Sequence, residues 1–218
     1  MGKYQYKKSQ KIGVCYGIYD IFTEKKARLQ PREIDCIQYP NSECEKNWVF
    51  VDISNQTHMI YKWCPLEIGP ILSNNEPSDE PSDEPSNEPS KLNITISKET
   101  PSFFQHVRGS TNACQVFLYN KNGKITTPFE WWFIGHIVSY ESPRQYYHVL
   151  MKFDPYMNLK QYSAPFKFED QQNEIEYCLG LVVEDDRVLI TYSNWDRTTT
   201  LGIYDRKYIN EQMVYECK

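Results

Sequence analysis

WWFIGHIVSYESPRQYYHVLMKFD, residues 131–154, is the stretch whose reading decides the fold. Two apolar runs, Trp131–Tyr140 and Tyr146–Phe153, flank the polar segment ESPRQ. Both are rich in aromatic and β-branched side chains, which fit a pleated surface. Two such runs around a short polar connection read as a pair of antiparallel strands.

Working outward, the same pattern recurs. Trp48–Val51 and His58–Trp63 flank SNQT, which predicts a hairpin. Gln115–Tyr119 runs into NKNG and then Lys124-Ile125, a second turn site. Leu179–Val183, Arg187–Tyr192 and Thr199–Asp205 give three more strands, with Asp185-Asp186 at the first turn. The chain holds 17 Tyr, 10 Phe and 5 Trp against only 3 Ala, the best helix former. Long helical periodicity is absent. An all-β fold follows. The phrases MIYKW, FIGHIVSY and VLITYSNWD each carry apolar residues into an aromatic one, a loose repeat of the kind that propeller blades show with units of ~40–50 residues. A sandwich with comparable hairpins answers the same pattern.

Residues 76–90, EPSDEPSDEPSNEPS, interrupt this order. Proline removes backbone donors, like charges repel, and nothing apolar is available to bury. The expectation is a disordered acidic, Pro-rich insert, tolerated because lengthening a loop costs little entropy. Three segments follow: 1–72 with the N-terminal strands and first blade, 73–100 as linker, and 101–218 as further blades of the same unit.

The six acids of that repeat exceed the formal net charge of −5, so the remainder is close to neutral. A nucleic-acid surface needs concentrated basic charge, so nucleic acid is not expected as a partner. Seven scattered cysteines without a CxxC pair predict no metal site. The N-terminus MGKYQYKK lacks the apolar core of a signal peptide, and no run suits a membrane span. A reducing, cytoplasmic setting is the expectation, without a membrane partner.

Particular residues carry a resemblance. Glu45-Lys46-Asn47-Trp48 with IYKWCPLEIG (60–69), Arg108-Gly109-Ser110-Thr111, and Trp132-Phe133 through Tyr140 stand in order along the chain. They are followed by Tyr147-His148-Val149-Leu150 with Asp154, then Glu176–Leu181, then Tyr192-Ser193-Asn194-Trp195-Asp196. Together, over roughly residues 43–209, they resemble the five-bladed β-propeller glycoside hydrolases and phosphorylases, in particular the mannoside-phosphorylase-like group. The resemblance implies an incomplete propeller of three to four blades and a sugar or glycoconjugate ligand. It also implies inorganic phosphate as a possible co-substrate, with no other cofactor. Related domains occur beside glycosyltransferases, including in large DNA viruses, which makes a glycosyltransferase or another protein a candidate partner. The group's early catalytic acid has no counterpart here.

Propellers assemble ligand sites from polar residues at strand ends. Lys46, Asn47, Arg108, Thr111, His136 and Arg197 are the ligand-binding candidates, offering cations and amide donors. Glu176 and Asp196 are the candidate catalytic carboxylates, which the resembling group places around its sugar pocket. Glu141, Arg144 and Tyr147 flank one turn, where an ordinary surface ion pair is expected. Two readings result: a carbohydrate-binding or carbohydrate-active domain, and a non-enzymatic protein-interaction scaffold.

Overall fold

The structure, a computed structural model, describes residues 12–16, 32–72, 90–119, 125–169 and 175–217. It is nearly all-β, with a curled sheet and an incomplete, propeller-like architecture. Residues 76–89 of the acidic repeat lie outside the described residues.

The first sheet contains β1 (Val14–Tyr16), β2 (Arg32–Cys36), β3 (Val49–Ile53), β4 (Gln56–Trp63), β5 (Leu66–Leu72), β6 (Ser90–Leu92) and β7 (Ile96–Lys98). Their order is β1-β2-β6-β5-β4-β3, with β7 also on β5. The expected hairpin is β3–β4, and its turn is Ser54-Asn55, both left-handed at φ 52° and 62°. Within the linker expected over 73–100, residues 90–92 and 96–98 are strands; Ser90 and Leu92 are buried, and Leu92 packs with Ile34, Cys36 and Met59.

The second sheet holds β8 (Arg108–Gly109), β9 (Cys114–Tyr119), β10 (Ile125–Ser139), β11 (Gln145–Phe153) and β12 (Leu159–Tyr162). The third is β13 (Glu176–Val183), β14 (Arg187–Asn194) and β15 (Thr200–Asp205), followed by the short helix α1 (Arg206–Glu211). A last strand, β16 (Tyr215–Glu216), returns to pair with β12.

The opening stretch is the β10–β11 hairpin, in register from Trp131↔Phe153 to Ser139↔Gln145. Side chains alternate across a strand, and here both faces are covered. Trp131, Phe133, Val149, Met151 and Phe153 pack with Val49, Val51, Ile60, Trp63, Leu66 and Ile68 of the first sheet. Trp132, Ile134 and Leu150 pack with Cys178, Leu181, Val188, Ile190 and Tyr192 of the third. Burial on both faces is why this stretch reads as continuous apolar runs rather than as polar–apolar alternation. The first core joins strands on both sides of the acidic repeat, so β3–β5 and β10–β11 fold as one unit.

Candidate functional site

A cleft of about 460 Å³ lies where the ends of the three sheets meet. Its floor depends on missing side chains. Gly109 and Gly135 are cross-strand partners of β8 and β10. A Cβ on Gly109 would lie 2.4 Å from the Asn47 carbonyl oxygen and 2.5 Å from Val49 Cγ1. Only glycine lets the chain entering β3 press against β8. Asn47 turns that chain at φ 62°, a left-handed conformation that asparagine tolerates better than most residues. Lys46 and Asn47 thereby reach the cleft beside Arg108.

Arg108 stands opposite His136 on β10, and both line the cleft. His136 Nδ1 is 2.9 Å from Ser110 Oγ, and its ring packs between Tyr146 and Tyr177. Burial first, then the charges of Arg108 and Lys46, push the imidazole down to about 4. It is neutral at pH 7. The β10–β11 turn contributes Tyr140 and Arg144, with the guanidinium 5.5 Å from the Tyr140 ring centre. From the third sheet come Tyr177 and Asp196. Trp195 and Asp196 are consecutive left-handed residues, at φ 54° and 53°. The Trp195 N–H donates to the Ile175 carbonyl at 2.9 Å, which fastens this turn to the start of β13.

The arrangement is electrostatically lopsided. Among the described residues, Lys46, Arg108 and Arg144 meet a single lining carboxylate, Asp196. Convergent cations and amide donors on a partly sheltered wall suit an oxyanion, and tyrosine faces suit apolar sugar faces.

Five of the sequence-derived candidates therefore converge: Lys46, Asn47, Arg108, His136 and Asp196. Three do not. Glu176 is fully buried, one residue from Tyr177 and so on the opposite face of β13. Its oxygens accept from the N–H groups of Phe168 (3.0 Å) and Glu169 (3.1 Å) and lie 3.9 Å from His148 Nε2. Burial raises this carboxyl, and the two backbone donors only partly oppose the rise. Glu176 organises the interior and is no pocket acid. Thr111 is buried, with its Oγ1 accepting from the Ile134 N–H at 2.9 Å while its own N–H donates to the Ile134 carbonyl. It clamps the end of β8 to β10. Arg197 is exposed beside Asp196 and does not line the cleft.

Sequence reasoning missed Arg144, expected in a surface ion pair, and also Tyr146 and Tyr177. Nothing local marks them, because their value comes from which strand end the hairpin brings to the cleft. A larger, more open groove of about 800 Å³ beside α1 gathers none of the candidates.

Among the described residues, no three His, Cys, Asp or Glu are grouped to hold a metal ion. No helix there is long and apolar enough to cross a membrane. Comparison with known families and with curated proteins finds no matching family model and no matching protein.

Proposed function

We propose that the cleft binds a carbohydrate together with an anionic group, a phosphate on the sugar or inorganic phosphate beside it. One observation carries this reading. Segments far apart in sequence, at 46–47, 108, 136, 144 and 196, deliver Lys, Asn, Arg, His, Arg and Asp to one cleft. Structural ion pairs rarely need such convergence, whereas ligand sites do. Tyr140, Tyr146 and Tyr177 supply ring faces for a sugar, and the three cations suit an oxyanion. The resemblance to the mannoside-phosphorylase-like group points the same way.

Hydrolysis of a glycoside employs two carboxyl groups. With Glu176 facing the interior, the described residues of the cleft offer the carboxylate of Asp196 alone, an arrangement better suited to phosphorolysis, where phosphate replaces the second carboxylate as the attacking group.

The test is thermal stability against a panel of mannosides and other sugars, each with and without phosphate. A ligand at ~100 times its dissociation constant adds ~2.7 kcal/mol. The expected result is a sugar-dependent shift, enlarged by phosphate and lost in Arg108→Ala and Asp196→Ala. A folded protein that no sugar and no phosphate stabilises moves the assignment to the interaction scaffold.

A further inference from the structure

The third sheet has an apolar inner face and, on its outer face, an apolar stripe bordered by the Arg187–Asp205 pair. Its inner face lies in the second core. On the outer face Val182, Leu201 and Ile203 are 53%, 54% and 60% exposed. Register aligns Val182, Leu189 and Ile203 in one row across all three strands, with Thr191 and Leu201 beside it. These side chains form a stripe rather than scattered residues. A sheet with one solvated face normally turns polar groups outward, so a continuous apolar stripe marks an interaction surface.

A second observation is independent of the first. Among the described residues β15 pairs only with β14, so its other side is an edge. The Arg206 N–H donates to the Asp186 carbonyl. In an antiparallel ladder, alternate opposed residues exchange hydrogen bonds. Counting back from Arg206, residues 204, 202 and 200 bond to β14. Leu201 and Ile203 therefore direct their backbone N–H and C=O groups to the open edge. Natural edges are guarded by lysine, proline or a bulge, and Thr200–Asp205 has none of these.

We propose that this edge and face form a homodimer interface, in which two copies pair antiparallel through β15 about a two-fold axis at Gly202. In that register Leu201 stands opposite Ile203 of the second copy, and the reverse. Both residues carry the edge-directed backbone groups that the pairing needs. The apolar row continues across the axis into the equivalent row of the second copy, making one six-stranded sheet. No like charges meet, because Asp205, whose carboxylate accepts from the Tyr208 N–H as the cap of α1, lies beyond the last paired residues at each end. Asp205 and its own equivalent are far apart. The contact uses the same patch twice, so it closes at two copies.

Sedimentation equilibrium of the full chain from submicromolar to tens of micromolar tests this. The expected result is a species of twice 25.9 kDa that dissociates on dilution, and an Ile203→Lys chain that stays monomeric with an unchanged circular dichroism spectrum. A monomer at every concentration overturns the proposal, as does a dimer that Ile203→Lys leaves intact. A second readout uses the unaltered chain, in case the variant fails to fold. Amide exchange at Leu201 and Ile203 should slow about tenfold at high concentration, while Gly202 is protected throughout. Equal rates at both concentrations overturn the proposal too.

Discussion

Two acid–histidine neighbourhoods lie side by side across the β10–β11 hairpin, and they differ in what surrounds the polar groups. His136 and His148 are direct cross-strand partners. His136 opens on a cleft with Arg108, Lys46 and Asp196 nearby. His148 is sealed beneath Glu176, between Phe166 and Phe168, with neither ring nitrogen hydrogen-bonded. Both imidazoles are pushed down mainly by burial, to about 4 and about 3. The lesson concerns what surrounds a polar group. Backbone donors and aromatic walls make the inner carboxylate an organiser of chain, whereas cations and open space make the outer one available to a ligand.

The largest test of that contrast is Glu176→Ala. It strands the Phe168 and Glu169 N–H groups and leaves a hole, at an expected cost of about 4 kcal/mol in denaturant unfolding. A cost near zero would mean that water replaces the carboxylate and that the inner site is not structural.

Acid sensitivity comes next. Unfolded histidine takes its proton near pH 6.5, and folded His136 only near 4. The unfolded chain thus binds more protons between those values, and stability must fall as pH drops through this window. For His136 alone the loss is up to about 3 kcal/mol. His136→Gln should flatten the slope of unfolding free energy between pH 6.5 and 4. An unchanged slope would place the proton uptake elsewhere.

Gly109→Ala sharpens the comparison from the cleft side. A methyl group 2.4 Å from a backbone oxygen must displace the chain at Asn47. About 2 kcal/mol of destabilisation is expected, along with weaker ligand-induced stabilisation. Loss of stability without loss of ligand response would separate the 46–47 segment from binding.

The smallest stability change belongs to Asp196→Asn, within about 0.5 kcal/mol because the side chain is exposed and asparagine keeps the left-handed backbone at this position. Its predicted mark is on ligand response alone, which is the reverse of Glu176→Ala.

The hairpins were legible because strand formers and turn residues alternate plainly at 48–63, 131–153 and 176–205. Lys46, Arg108 and Asp196 were legible as polar residues at strand ends. What escaped was facing. Glu176 and Tyr177 are neighbours in sequence, and a strand sends them to opposite sides. Which side holds the cleft depends on how the third sheet packs, and no local pattern carries that. Arg144 escaped for a related reason. A turn arginine looks like any surface cation until the hairpin's register shows where its tip projects.

The doubly buried hairpin also determines where this chain can be cut. Because β10–β11 serves as a wall for partners encoded on both sides of the acidic repeat, neither half owns a finished interior. Expressed alone, 90–218 would expose Trp131, Phe133 and Phe153 to solvent, and 1–72 would expose Trp63 and Leu66. Produced together, the halves offer each other the missing surface. A chain nicked within 76–90 is therefore expected to behave as a split protein, two insoluble pieces that become one soluble complex on co-expression.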